Sequence, residues 1–324
     1  MKNSQNHLAQ IIGVLNDRRF HPGTAIGQAL NIGRTAVWKT VQKLKKYEIP
    51  ITADKSKGYR LEQPLLLLDP KKIKNGVQAE PVRIDLFEQI NSTNEYLKGV
   101  NRPPQQLNIC LAEMQTQGKG RFQRAWHSPF GQNIYLSLKY PFNKDVSELA
   151  ALSLVCGLAV CNAIEKSCPL TKPIFVKWPN DIICEDKKLA GILIEIEAET
   201  HGFCPAIIGI GLNVDMEKEQ DKINQPWTSI KNLTATDQDR NQLCAALINE
   251  LVSCIYCFEN KGFNEFLPSW KTKDYLLTRQ IQLKSGRQEL QGKSLGINSQ
   301  GYLTVQLSDG SQRIFSSGDT TLLK

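Results

Sequence analysis

Three cationic side chains lie close together in the glycine-containing segment 115–126, at Lys119, Arg121 and Arg124. Cations in such a loop can donate charge-assisted hydrogen bonds to a phosphate or a carboxylate. The segment lacks the GxxxxGK[ST] spacing of a P-loop, which excludes that type of nucleotide site. The sequence therefore predicts an anion-binding loop of another kind, with an exposed basic loop as the alternative.

A second set of candidate functional residues follows a predicted buried strand at 174–176. It reads Lys-Trp-Pro-Asn-Asp at 177–181, and the next predicted strand begins near Lys188. A further strand, predicted at 206–214, has glycines in its interior, where a ligand or another backbone segment often approaches closely.

A third group reads Ser92-Thr93-Asn94-Glu95 after a predicted strand at 82–90. Serine followed three residues later by glutamate has the form of a capping box, which places Ser92 at the start of a helix. Such a corner presents backbone N–H groups and hydroxyls to a small polar ligand. Most capping boxes only cap, so this motif is weak by itself.

Taken together, the motifs resemble those of biotin-protein ligases, in the bacterial form that carries an N-terminal winged helix-turn-helix and represses the biotin operon. The motifs stand in the family's order: Ser-Thr-Asn at 92–94, Gly-Lys-Gly-Arg at 118–121, Lys-Trp-Pro-Asn-Asp at 177–181, Lys-Leu-Ala-Gly-Ile-Leu at 188–193 and Gly-Ile-Gly-Leu-Asn at 209–213. The resemblance covers nearly the whole chain.

The resemblance implies an ATP-dependent reaction in two steps. Biotin and ATP give biotinyl-5'-AMP and pyrophosphate, and a lysine of a biotin carboxyl carrier protein then takes the biotinyl group. It also implies repression through operator DNA, a homodimer when liganded, and Mg²⁺ to shield the phosphates. No protein ligands for the metal can be assigned from the sequence.

Site residues are carried over at matching positions. Lys188 and Arg121 are the expected electrostatic catalysts, because adenylation brings a carboxylate and a polyphosphate together. Asp181 is expected to orient the acceptor amine. Biotin and adenylate contacts are expected at Ser92, Thr93, Asn94, Gln115, Lys119, Gly120, Arg121, Trp126, Lys188 and Gly191, and nucleotide contacts at Asn180, Gly211 and Asn213. The sequence departs from the repressor-type ligases at Lys119, typically arginine there, and at Gln123, typically glycine.

The N-terminal segment carries the chain's excess charge. Residues 1–60 hold eleven lysines and arginines against three acidic residues, which equals the net charge of +8 of the whole chain. Apolar residues at helical spacing predict a helix at 8–15, a short helix from 24 to about 30 and a further helix with Val37, Val41 and Leu44 on one face, and two short strands follow around a basic hairpin tip. This pattern predicts a winged helix-turn-helix that contacts DNA through Arg34, Thr35, Trp38, Lys39, Gln42, Lys43, Lys55 and Lys57. The alternative is a helical interaction module that does not bind DNA.

Strands and turns alternate from Arg279 onward, and an Asp-Gly turn at 309–310 is a strong hairpin signal. The sequence therefore predicts an α+β protein with three domains: a winged helix-turn-helix at 1–65, a mixed α/β biotin/lipoyl-ligase-like catalytic domain at 66–273, and an SH3-like β-barrel at 274–324. The apolar stretch 149–164 is expected to be a buried helix, since it is shorter than a bilayer span.

The N-terminus lacks the pattern of a secretory signal, so a cytoplasmic protein with no membrane partner is expected. Nine irregularly spaced cysteines and four scattered histidines indicate free thiols and no structural metal. Two other functions remain open: a transcriptional regulator that senses a small acid without catalysis, and a lipoate or octanoyl transferase, whose catalytic fold is the same.

Overall fold

The computed structural model describes residues 2–103, 106–197, 204–217, 223–286 and 288–323, without the side chains of residues 2–6. Its first domain contains helices α1 (Lys2–Leu15), α2 (Gly23–Leu30) and α3 (Arg34–Lys46) and the hairpin β1 (Ile51–Asp54) and β2 (Gly58–Leu61). The apolar faces of the three helices pack on one another, with Ile11, Val37 and Val41 fully buried. The predicted winged helix-turn-helix is confirmed.

The central domain is built on a seven-stranded sheet in the order β3-β4-β5-β9-β8-β7-β6, in which only β3 and β4 pair in parallel. Its strands are β3 (Val82–Phe87), β4 (Leu107–Ala112), β5 (Ile134–Phe142), β6 (Phe175–Lys177), β7 (Asp181–Cys184), β8 (Lys187–Ile196) and β9 (Cys204–Leu212). Short helices α4 (Pro70–Gly76), α5 (Thr93–Lys98), α7 (Ile230–Thr234) and α9 (Leu267–Lys273) connect these strands or flank the sheet.

Two longer helices, α6 (Leu152–Ser167) and α8 (Arg240–Lys261), pack against each other and against the sheet. The segment 146–167 and α8 are long and apolar enough to cross a membrane. However, 72% of the first apolar window and 50% of the second are buried inside the fold. A helix that is apolar on nearly all sides is typical of a protein core. The buried helix expected at 149–164 is confirmed as α6.

The C-terminal domain is a five-stranded antiparallel sheet in the order β13-β12-β11-β10-β14. Its strands are β10 (Gln280–Ser285), β11 (Gln288–Ile297), β12 (Leu303–Gln306), β13 (Gln312–Phe315) and β14 (Asp319–Leu322). Ile281, Leu283 and Val305 belong to the same apolar core as the central sheet. The predicted all-β domain is therefore confirmed, and it shares a core with the central domain.

The segment 65–69 joins the first two domains and is held in place by side chains. Asn16 bonds both the N–H and the C=O of Leu65, at 2.9 and 3.1 Å. Arg240 donates to the carbonyl of Leu66 at 2.5 Å and to the carboxylate of Glu113 at 2.9 Å. Glu113 in turn accepts from the N–H of Leu68. These bonds hold the linker against the first domain through Asn16 and against the central domain through Arg240 and Glu113.

Candidate active site and DNA-binding surface

A cavity of about 820 Å³ opens over the face of the central sheet. Every predicted catalytic, biotin-binding or nucleotide-binding residue lines it: Ser92, Thr93, Asn94, Gln115, Lys119, Gly120, Arg121, Trp126, Asn180, Asp181, Lys188, Gly191, Gly211 and Asn213. These residues come from five separate parts of the chain, and the sheet brings them together. Their individual roles remain predictions.

One end of the cavity is a network of neutral hydrogen-bonding groups. Thr93 donates from its N–H and its hydroxyl to Oε1 of Gln115, at 2.9 and 3.1 Å. Ser137, a fully buried residue of β5, donates to Asn94 Oδ1 at 2.5 Å and lies 2.7 Å from the Thr93 hydroxyl. The amide of Asn94 donates to Glu195 at 2.8 Å. This polar floor can hold a neutral, hydrogen-bonding ligand group.

Gly209 of β9 lies directly beneath this floor. A Cβ at this position would come within 2.4 Å of Asn94 Oδ1, a distance that real Cβ atoms do not reach. The glycine noticed in the strand interior therefore allows Asn94 to approach the sheet.

The expected capping box is only half formed. Ser92 caps α5 by accepting from the N–H of Glu95, whereas the Glu95 carboxylate pairs with Lys98 and Lys119. These lysines lower the pKa of Glu95. The pair between Glu95 and Lys119, at 3.2 Å, ties the cationic loop to the helix that begins at the polar floor.

The opposite end of the cavity is cationic. The Lys188 amine is 2.8 Å from Asp181 Oδ1 and 5.3 Å from the centroid of the Trp126 ring. Arg121 donates to Asn180 Oδ1 at 3.3 Å and to the carbonyl of Gly318 at 3.0 Å. Burial lowers the pKa of Arg121, although nearby Asp319 and Asp181 oppose this shift. Two partly buried cations therefore face a space in which an anion can bind.

Trp126 lies flat against two glycines between these ends. A Cβ on Gly211 would come within 2.4 Å of its indole ring, and a Cβ on Gly191 within 2.9 Å. The indole N–H is buried and has no hydrogen-bond partner among the described residues. It is therefore available to a ligand in the cavity.

The two asparagines predicted to bind the nucleotide also form hydrogen bonds within the protein. Asn180 bonds Arg121 and also donates to the carbonyl of Ile192 at 2.8 Å, across the sheet. Asn213 donates to the carbonyl of Thr228 at 3.0 Å and so anchors the segment that follows residue 222.

Several lining residues were missed by the sequence analysis. They are Asn224, Gln225 and Trp227, which border the cavity beside Lys188, and Asp319, which comes from the C-terminal domain. Asp319 forms an ion pair with Arg124 and lies 3.7 Å from Arg121. Asp319 is almost two hundred residues away from its partners in sequence, and no local pattern marks such a contact.

The predicted DNA-binding residues lie on α3 and on the hairpin tip. Arg34, Thr35, Trp38 and Lys39 are exposed on α3, and Lys55 and Lys57 are exposed at the tip. Gln42 and Lys43 are half-buried, and Lys43 forms an ion pair with Glu88 of the central domain. Lys43 is therefore part of a domain contact in this structure, and its contact with DNA stays a prediction.

Comparison with known proteins agrees with this architecture. The biotin/lipoate A/B protein ligase family matches residues 86–213, an HTH domain matches 7–60, and the biotin protein ligase C terminal domain matches 277–321. The bifunctional ligase/repressor BirA of Salmonella typhimurium is 35% identical over 96% of each chain. BirA of Bacillus subtilis is 30% identical, over 92% of this chain and 93% of that protein.

Among solved structures, the biotin protein ligase from Aquifex aeolicus in complex with biotin and ATP matches with a TM-score of 0.63 and 27% identity. The match covers 75% of this chain and 99% of the Aquifex chain. The relatives match this chain over nearly its whole length, and the family models match its three domains in order. The chain therefore belongs to the biotin protein ligase family, among its bifunctional ligase/repressor members.

Proposed function

We propose that this chain activates biotin with ATP, transfers it to a lysine of a biotin carboxyl carrier protein, and represses transcription by binding operator DNA. The observation that carries the catalytic part is the placement of Lys188 and Arg121 at one end of a cavity whose other end is a neutral polar floor. A biotin ring system that carries a ureido group fits the neutral end, and its carboxylate then reaches the cations.

In the first step, a carboxylate oxygen of biotin attacks the α-phosphorus of ATP, and pyrophosphate leaves. Lys188 and Arg121 bind the two anions together and stabilise the charge that develops in the transition state. Both cations are already held by neighbours, Asp181 for Lys188 and Asn180 for Arg121, so little reorganisation is needed.

In the second step, the acceptor amine attacks the carbonyl carbon of the mixed anhydride, and AMP leaves with the bonding electrons. The amine must lose a proton. We propose that Asp181, which lies beside Lys188, accepts the hydrogen bond of the incoming amine and then its proton. Trp126 covers the adenylate from the side of the loop.

Mg²⁺ is proposed to enter with the nucleotide. No group of three or more His, Cys, Asp or Glu residues that could hold a metal occurs in the part of the chain that the structure describes. Asp181 and Asp319 line the cationic end, and each is paired with a cation. This donor set suits an ion that is held mainly by phosphates and water.

The regulatory part is supported by the basic surface of the first domain, with exposed cations on α3 and on the hairpin tip. We propose that the chain acts in the cytoplasm and binds its operator as a homodimer, because a two-fold dimer matches a palindromic site.

The first test incubates the purified chain with ATP, Mg²⁺, biotin and a biotin carboxyl carrier domain, and detects biotin on the carrier lysine by mass spectrometry. Transfer should fall at least a hundredfold in Lys188→Ala, since an electrostatic donor of this kind contributes about 10²–10³ in rate. The exposed Lys284→Ala variant is the control. Biotin binding without adenylate formation would support a sensor without catalysis, and transfer of lipoate instead would support the lipoyl-ligase alternative.

A further inference from the structure

The C-terminal end of α3 binds a carboxylate of the central domain. The Lys43 amine forms an ion pair with Glu88, and the Tyr47 hydroxyl donates to the same carboxylate at 2.6 Å. The Glu88 side chain is only 12% exposed, so its charge depends on these two donors. The helix expected to lie in a DNA groove is thus bonded to the catalytic domain.

The same end of α3 packs beside the cavity. The Tyr47 ring stacks on Phe130 with a centroid distance of 4.5 Å and an interplanar angle of 12°. Phe130 is almost fully buried and joins the core of the N-terminal domain, against which Met114 also packs. The helix therefore contacts the central domain at Glu88 and at Phe130, and a third segment, at Met114, packs on the core that the helix shares.

Each of these three segments leads into the polar end of the cavity. Glu88 precedes Ser92, Met114 precedes Gln115, and Phe130 follows Ser128, all within four residues along the chain. A ligand that moves one of these segments would therefore also disturb its contact with α3 or with the core that α3 shares.

Lys43 also lies one helical turn beyond Lys39, on the edge of the exposed basic face. The Glu88 carboxylate already compensates the charge of the Lys43 amine, so the carboxylate and a DNA phosphate compete for it. We propose that Glu88 is an internal competitor for DNA phosphate at Lys43, and that this competition couples DNA binding to the ligand cavity. The proposal rests on the DNA-binding part of the proposed function. Because binding free energies are linked reciprocally, each ligand must change the affinity for the other by the same factor.

The competition is tested by the salt dependence of binding to a labelled random-sequence DNA duplex, which reports phosphate contacts and needs no knowledge of the operator. Each neutralised phosphate adds about −0.9 to the slope of log K against log salt concentration. Glu88→Gln should steepen the slope by about one such contact and tighten binding at low salt. Lys43→Met should leave the wild-type slope unchanged but return the slope of Glu88→Gln to the wild-type value.

Glu62→Gln is the matched control, because it removes an acidic charge whose carboxylate bonds Thr52 in the same domain, away from Lys43. Its slope should equal that of the wild type. Equal slopes for wild type and Glu88→Gln would overturn the proposal, and so would a slope reduced by Lys43→Met alone. A chain that binds no duplex would refute the DNA-binding function, and the proposal with it.

The coupling is tested by isothermal calorimetry of biotin binding with and without saturating duplex. The salt slopes above refer to the chain without biotin, in which Lys43 pairs with Glu88. We expect biotin binding to weaken this pair, so that Lys43 contacts a DNA phosphate only in the biotin-bound chain. The duplex should therefore lower the biotin Kd of the wild type by about two- to fivefold, as expected for one partly exposed ion pair. In Glu88→Gln this change should shrink toward one, while biotin still binds without DNA. An unchanged ratio in Glu88→Gln would overturn the coupling.

Discussion

The absence of a Cβ atom at Gly209 and Gly211 decides the shape of the cavity at these two positions. Both glycines lie in β9, where a methyl group would meet Asn94 in one case and the Trp126 ring in the other. Backbone freedom is not the reason for glycine here, since neither residue has a positive φ. Glycine is required here because it leaves space for the Asn94 and Trp126 side chains that line the cavity.

Gly209→Ala should weaken biotin binding about tenfold or more. The added methyl group displaces Asn94 from the polar floor, and overpacking of this kind costs about 1–3 kcal/mol. Biotin titration by calorimetry measures the effect. Gly13→Ala is the control, because a Cβ at that position meets nothing within 4 Å. Unchanged affinity in Gly209→Ala would show that Asn94 is not needed for biotin.

The buried carboxyl group of Asp215 is expected to make the free energy of unfolding depend on pH. Burial raises its pKa to about 6 from an ordinary value of 3.8, although Arg240 and Lys231 oppose this shift. The folded state therefore binds more protons than the unfolded state between pH 4 and 6, and stability falls as pH rises through this window. Asp215→Asn should raise the free energy of unfolding at pH 7.5 by about 1–2 kcal/mol.

The gain from Asp215→Asn should disappear near pH 4, where the aspartate is already neutral in the folded chain. Urea unfolding at both pH values tests this expectation. A variant that is less stable than the wild type at pH 7.5 would mean that the carboxylate makes a needed contact.

At the scale of elements, the start of α8 and the residue that follows β4 hold the linker through one buried ion pair. Arg240 is completely buried, the Glu113 side chain is 4% exposed, and both bond backbone groups of 65–69. Such a pair is weak evidence for net stabilisation, but removal of one partner leaves a buried charge without compensation.

Arg240→Met should lower the free energy of unfolding by about 3–5 kcal/mol. It should also make the peptide bonds near Leu66 more accessible to limited proteolysis, because the Leu66 carbonyl loses its donor. The double variant Arg240→Met with Glu113→Gln should recover part of the loss, since no charge is then buried. Equal stability of the single variant and the wild type would contradict the described role of this pair.

At the scale of the whole molecule, the C-terminal domain completes the cationic end of the cavity. Gly318 and Asp319 bind Arg121, and Trp178 donates to the carbonyl of Gly301 at 3.1 Å from within the Lys-Trp-Pro-Asn-Asp motif. The two domains also share a core. Catalysis is therefore expected to depend on residues of both.

Asp319→Asn should raise the KM for ATP several-fold and leave the biotin Kd unchanged. The substitution removes the charge that holds Arg121 and Arg124, and this contact lies at the cationic end, where we propose that the nucleotide binds. Steady-state kinetics and calorimetry separate the two constants. Glu289→Gln, on the exposed side of β11, is the control. Loss of biotin affinity in Asp319→Asn would contradict the division of the cavity into two ends.

The amino-acid sequence by itself determined the order of domains, the helix-turn-helix, the β-rich C-terminal domain and the motif residues around the cavity. These depend on local periodicity, turn residues and short motifs, all of which can be recognised within a few residues of chain. The bounds of individual strands were less well predicted: the strand expected at 82–90 ends at Phe87.

Only the tertiary structure revealed the partners of those residues. Asp319 against Arg121, Glu88 against Lys43, and Arg240 against the linker each join residues from 45 to almost 200 positions apart. Such contacts depend on how the helices and strands pack in three dimensions. The local sequence around one partner does not identify the other. For this reason the residues that line the cavity could be predicted from the sequence. The long-range ion pairs around the cavity and its contacts with the DNA-binding helix could not.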